Sequence, residues 1–304
     1  MEIISTKDFH IEGPSAVTIG KFDGIHMGHK KLLASCMVKK QMGFQICVFT
    51  FSPSPEAFFG SKEKCLTTVE EKRKLFSELG VDYLIEYPFD KETADMDPED
   101  FICDILVAGM NARFIAAGDD LSFGKGGKGN SELLLSLQED YAYKAEIIDK
   151  VRIDNNIVSS TLVRSAVKEG KMELVRELLG TPYQISGTIV HGNKVGRTIG
   201  MPTINQLPEE EKLLPPFGVY CSETIIDGNI YKGITNIGIK PTVSSDMKVG
   251  VETFLYNFNQ DVYGNKADVK LYSFLRPEQK FNSVEELKNQ MKKDIEAGSK
   301  YIIS

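Results

Sequence analysis

The chain has 304 residues, 41% of them hydrophobic and 26% charged, with a formal net charge of -7 at pH 7. Single cores tend to split beyond about 250–300 residues, so two domains are expected. The negative balance argues against nonspecific nucleic-acid or anionic-membrane binding as the main activity. No apolar run approaches the ~20 residues that span a bilayer, and the short, mixed N-terminal stretch does not read as a signal peptide.

The first half alternates short apolar strands with helical patterns. Strands are expected over 17–19 and 45–51, with a helix over 26–42 between them. Thr67 or Thr68 with Glu70 or Glu71 reads as a capping box opening a helix that runs to Leu79 and stops at Gly80. A strand over 81–87 follows, and Asp97-Pro98-Glu99 starts a helix to Met110. A strand over 113–117, a helix over 131–141 and a strand over 146–153 complete the rhythm. Such βαβα order predicts a doubly wound parallel sheet with ligands beyond the carboxyl ends of its strands.

Two short helices, over 161–168 and 172–179, lead to Gly180-Thr181-Pro182, where the character changes. Segments at 185–190, 218–226, 230–236, 251–257 and 269–274 are β-rich and separated by turn residues. Asp227-Gly228 between two of them is a hairpin signal. A compact antiparallel barrel or sandwich is expected, closed by a helix that Ser283-Val-Glu-Glu286 caps. The domains are set at 1–183 and 184–304. The five cysteines (Cys36, Cys47, Cys65, Cys103, Cys221) are scattered, with no C-x-x-C pair. They imply neither a disulfide framework nor a zinc site, and the expected compartment is the reducing cytoplasm.

Three segments of the first half point to phosphate chemistry. Gly20-Lys21-Phe22-Asp23-Gly24-Ile25-His26-Met27-Gly28-His29 runs from a strand through a glycine turn into a helix start carrying two imidazoles. Helix-start amides attract an anion, and imidazoles can donate to oxygens whose charge grows during phosphoryl or nucleotidyl transfer. The bland alternative is a surface histidine pair. Ser159-Ser160-Thr161-Leu162-Val163-Arg164 offers hydroxyls at a helix start and an arginine one turn on; simple capping with a solvent-facing arginine is its alternative. The loop Gly118 to Gly129 follows a strand, and in it Asp120 can orient ribose, base or magnesium. A flexible surface loop is the alternative there. In the second half, Pro202-Thr203-Ile204-Asn205 supplies a hydroxyl and an amide oxygen, hard ligands suited to Mg²⁺ between phosphates. On its own, that quartet reads more often as a turn.

Taken together and in order, these residues resemble the bacterial bifunctional riboflavin kinase/FMN adenylyltransferase family. Gly20-x-Phe22-Asp23-Gly24-x-His26-x-Gly28-His29 and Ser159-Ser160-Thr161-x-x-Arg164 are similar to its nucleotidyltransferase motifs. Gly196-Arg197-x-x-Gly200-x-Pro202-Thr203-x-Asn205 is similar to its flavokinase signature. The resemblance implies an α/β nucleotidyltransferase domain, a mainly β flavokinase barrel with a terminal helix, and ATP and Mg²⁺ serving both steps. Riboflavin would become FMN in the second domain, and FMN would become FAD in the first.

The resemblance also implies roles. His26 and His29 would contact the triphosphate within the Gly20, Phe22, Asp23, Gly24 and Gly28 turn. Ser160, Thr161 and Arg164 would grip its β- and γ-phosphates, and Asp120 would help seat the nucleotide. Gly187, Gly196, Arg197 and Pro202 would meet the second ATP, Thr203 and Asn205 the metal, and Glu252 would be the general base. Arg276 would meet the flavin or phosphate, or brace the closing helix. The chain departs from the family at Ser54, in Phe51-Ser52-Pro53-Ser54-Pro55, where histidine is common near the flavin phosphate, and at Leu121, where an aromatic is usual. Two alternatives therefore stand beside the bifunctional reading: a kinase with a weakened adenylyltransferase, and a non-catalytic flavin-binding regulator.

Overall fold

The structure is a computed structural model that describes residues 1–192, 200–241 and 247–301. The chain divides into two compact units, Met1–Ser160 and Thr161–Ser304.

The first unit is built on β1 (Glu2–Ile4), β2 (Ser15–Ile19), α1 (Met27–Met37), β3 (Gln45–Ser52), α2 (Val69–Glu78), β4 (Tyr83–Pro88), α3 (Phe101–Gly109), β5 (Ala112–Gly118) and β6 (Lys144–Ile148). Its sheet is parallel, in the order β1-β4-β3-β2-β5-β6. Every residue of β2 is buried, as a parallel strand covered on both faces must be. The pleat sends Val17 and Ile19 to a core with Phe49, Ile85, Phe101 and Ile105. It sends Ala16 to the opposite core with Val48, Leu84, Leu33 and Phe76. The order reverses at β2, which pairs with β3 on one side and β5 on the other, so the expected switch point lies beyond Ile19 and Gly118.

Helix α2 begins on a complete capping box: Thr68 accepts from the Glu71 amide at 3.3 Å and Glu71 accepts from the Thr68 amide at 3.0 Å. Four expectations change in detail. The helix expected over 26–42 keeps α-geometry only to Met37 and then tightens into a 3₁₀ turn, Val38–Met42. Segment α3 has wide π-type turns. The helix expected over 131–141 stops at Ser136, because Gln138 leaves it to accept from the Ala145 amide of β6 at 2.7 Å. The strand expected over 146–153 ends at Ile148; Arg152–Ile153 instead pairs with Asn156–Ile157 across Asp154 and Asn155, both at positive φ (46° and 66°). Two left-handed residues in a two-residue loop are the type I′ hairpin.

The second unit opens with α4 (Ser160–Lys168, its first residue closing the first unit) and α5 (Met172–Leu179), whose apolar faces are buried. Gly180 ends α5 at φ 67°. Strands β7 (Tyr183–Val190), β8 (Thr203–Gln206), β9 (Gly218–Ile226), β10 (Asn229–Pro241), β11 (Met247–Leu255) and β12 (Lys266–Pro277) follow, then helix α6 (Val284–Lys300). The strands close into an antiparallel barrel, β7-β8-β11-β10-β9-β12, which decides between the two expected β architectures. Asp227-Gly228 is the β9–β10 turn, with both residues at positive φ.

Candidate functional sites

In the first unit a cleft of about 490 Å³ lies past the carboxyl ends of β2, β5 and β6. Gly20, His26, Gly28, His29, Asp120 and Ser160 all line it. His26 is the N-cap of α1, its Nδ1 accepting from the His29 amide at 3.3 Å. The two imidazoles stack with centroids 3.7 Å apart and planes 14° apart. A side chain at Gly28 would meet the His26 ring at 3.0 Å, so glycine there lets the cap form. Below them the Phe22 ring, fully buried, packs on His29 at 4.9 Å and on Phe76 at 5.3 Å.

Burial pushes the His26 pKa down to about 4. The same desolvation, with the charges of His26 and Lys72 adding to it, holds His29 well below its usual value. Both rings are therefore neutral near pH 7, each with one N–H to donate. His29 Nδ1 is buried and has no protein hydrogen-bond partner among the described residues.

The turn residues sit behind the cleft rather than along it. Asp23 is buried and its Oδ1 accepts from the amides of Leu66 (2.7 Å) and Thr67 (3.2 Å), while the Gly24 amide donates to Thr67 Oγ1 at 3.0 Å. The Ser160 hydroxyl donates to the Asp23 carbonyl at 2.8 Å. Asp120 is held at the rim by Lys150 at 3.1 Å. Lys150 escaped the sequence reading although it follows β6 at the ligand-bearing edge, the one signal that marks it. Thr161 and Arg164 lie on α4, Arg164 buried. Ser54 does not line the cleft; it caps the short helix Pro55–Phe58, accepting from the Ala57 amide at 3.3 Å.

Thr203 lines two cavities of the barrel. One, of about 280 Å³, is walled by Thr203, Asn236, Glu252, Phe254 and Arg276 on the strands and by Leu287, Met291 and Asp294 on α6. The other, of about 430 Å³, includes Pro202, Phe258 and Tyr263. Thr203 Oγ1 donates to Glu252 Oε1 at 2.6 Å, across the β8–β11 pairing that sets Thr203 opposite Phe254 and Asn205 opposite Glu252. Strand β8 is thus the Pro-Thr-x-Asn segment, which by itself read as a turn. Asn205 is buried. Gly187 lies in β7, where a Cβ would meet the Leu207 carbonyl at 3.1 Å. Arg276 forms a two-pronged bond to Asp294, so it braces the closing helix while facing the cavity. Gly196 and Arg197 lie outside the described residues.

The Thr203 hydroxyl and the Asn205 amide are hard oxygen donors. No cluster of three or more His, Cys, Asp or Glu that could hold a metal occurs among the described residues. One or two protein oxygens shared with substrate phosphates is the usual setting for Mg²⁺, so the donor set fits that ion.

Two family models match the chain in succession. A family model described as FAD synthetase matches residues 8–162, and one described as riboflavin kinase matches residues 179–302. A Listeria monocytogenes protein named bifunctional riboflavin kinase/FMN adenylyltransferase is 36% identical over 91% of this chain and 89% of its own. Proteins of the same name from Bacillus subtilis and Buchnera aphidicola are 34% and 38% identical over 95% and 96% of this chain, and over 93% and 95% of their own. A crystal structure of a Streptococcus pneumoniae protein, described as a macrolide-efflux protein, superposes with a TM-score of 0.85 at 29% identity, covering 97% of each chain. No helix among the described residues is long and apolar enough to cross a membrane. With both family models matched in order and relatives above 30% identity along nearly the whole length, the chain belongs to the bifunctional riboflavin kinase/FMN adenylyltransferase family.

Proposed function

We propose that the chain phosphorylates riboflavin with ATP to FMN, then adenylylates FMN with a second ATP, giving FAD and pyrophosphate. The observation that carries this reading is that each matched half holds its own cleft, furnished with the residue types its half-reaction needs. The domains are taken as 1–183 and 184–304, and the cytoplasm as the compartment.

In the barrel the acceptor is an alcohol, so a base is required. Glu252 takes the proton of the terminal ribityl hydroxyl as that oxygen bonds to the γ-phosphorus and ADP leaves. Thr203, donating to Glu252, fixes the carboxylate in place. Thr203 and Asn205 are the protein oxygens for Mg²⁺, which when bound offsets phosphate charge. Gly187, Gly196, Arg197 and Pro202 are assigned to the ATP side, and Arg276 to the flavin side.

In the α/β unit the attacking FMN phosphate is already an anion. Its oxygen bonds to the α-phosphorus of ATP, the bond to the β-phosphate oxygen breaks, and pyrophosphate departs. No base is needed; alignment and neutralisation suffice. His26 and His29 donate to the triphosphate, while Gly20 and Gly28 admit the nucleotide close to the backbone. Phe22, Asp23 and Gly24 act by positioning these groups. Ser160, Thr161 and Arg164 grip the β- and γ-phosphates, Asp120 seats the nucleoside, and Ser54 borders the flavin phosphate.

Incubating purified protein with riboflavin and Mg-ATP should give FMN first and FAD after it. Release of pyrophosphate from FMN and ATP no faster than background would leave the kinase alone, and no FMN at all would overturn the reading.

A further inference from the structure

We propose that Asp294, a residue outside the reacting groups, is a positioning residue for the acceptor of the kinase reaction. It clamps Arg276 to α6 and so fixes the helical wall of the 280 Å³ cavity. This rests on the kinase reading above.

Asp294 is buried and accepts three hydrogen bonds: from Arg276 Nε at 2.9 Å, from Arg276 Nη2 at 2.6 Å, and from Gln290 Nε2 at 2.8 Å. Arg276 Nη1 donates to the Pro277 carbonyl at 3.0 Å, which pins the guanidinium to its own strand. A planar fork bound on both prongs holds orientation as well as distance. Leu287, Met291 and Asp294 fall at i, i+4 and i+7 of α6, so they share one face, and all three line the cavity. Further along, Tyr256 bonds to the Ile295 carbonyl at 3.1 Å, securing the C-terminal half of the helix. The Asp294 clamp ties α6 to β12 one turn beyond Met291. Loosening it moves the wall against which the acceptor lies and leaves the phosphate-side residues in place.

The test is Asp294→Asn in the full-length chain, with riboflavin and ATP varied separately. The expected result is a riboflavin KM raised at least tenfold, an ATP KM changed less than twofold, and an unchanged rate of FAD formation from supplied FMN. Gln290→Ala, which removes one of the three bonds, should raise the riboflavin KM two- to threefold and serves if the first variant folds poorly. A purely structural role would lower kcat through loss of active protein and leave KM alone. An unchanged riboflavin KM in both variants overturns the proposal, provided the parent chain makes FMN. A parent chain that makes none removes the kinase reading instead.

Discussion

Asp23 belongs to the phosphate-binding signature, yet its carboxylate points into the fold. Oδ1 alone accepts both buried amides, from Leu66 and Thr67, so the residue staples the turn below the histidines to the segment that starts α2. Asp23→Ala leaves two buried N–H groups without that acceptor, at about 1–3 kcal/mol each, or about 2–6 kcal/mol in all. In a unit of this size about 1 kcal/mol moves the midpoint by roughly 2–4 °C, so a fall on the order of 10 °C is expected for the first unit. Asp23→Asn keeps an oxygen at the same place and should lose far less, with FAD synthesis reduced no more than about threefold. Calorimetry of the full chain, together with hydrogen exchange at the Leu66 and Thr67 amides, reads both. If Asp23→Asn abolished FAD synthesis while the unfolding midpoint and amide protection stayed at parental values, the charge itself would be needed at the nucleotide and the stapling argument would fail.

Glu252→Gln keeps the shape that bonds Thr203 but cannot take a proton; riboflavin phosphorylation should fall about 10²–10⁴-fold in kcat, or about 3–5 kcal/mol of barrier, with FAD formation from FMN untouched. His29→Ala should do the reverse, cutting pyrophosphate release from FMN and ATP while FMN production continues. The depressed pKa of His26, about 4 against an unfolded value near 6.5, makes protonation costly to the fold. Its contribution to stability is present above pH 6.5 and is lost as pH falls from 6.5 towards 4, with His29 adding in the same direction. The first unit's unfolding midpoint should therefore drop across that window, and more shallowly in His26→Gln. Chelating Mg²⁺ should stop both reactions, assayed separately.

What could be read from the sequence is what local chemistry decides. The capping box at Thr68 and Glu71, the Gly180 stop and the Asp227-Gly228 turn each need only a few neighbouring residues, and each lies where its residues place it. The switch point was legible because a strand, a glycine turn and a helix start are consecutive there. Strand β1 was not: two of its three residues are exposed, and it exists through pairing with residues 83–85, about eighty positions away. Strand β8 looked like a turn because Pro-Thr-x-Asn says so locally, and only barrel closure against β11 extends it. Phe22 and Asp23 share a motif with the histidines but serve the core, and Asp294 meets Arg276 only because α6 folds back on β12. Spacing can mark a motif; which of its side chains face the ligand is set by the pleat and the turn.

The two clefts differ as the proposed reactions differ. Transfer to an alcohol leaves a proton to be removed, and the barrel cavity has a carboxylate held by a hydroxyl at 2.6 Å. Transfer to a phosphate leaves none, and a carboxylate facing the triphosphate would repel it. The α/β cleft instead sets two uncharged rings at its helix start, and two of the carboxylates that line it are engaged by lysines, Asp120 by Lys150 at 3.1 Å and Glu56 by Lys21 at 3.2 Å. A neutral imidazole donates to phosphate oxygens without holding pyrophosphate by a full positive charge, which favours release once the α–β bond is broken. Placing a fixed cation there, as in His29→Lys, should therefore tighten pyrophosphate inhibition even where it preserves ATP binding.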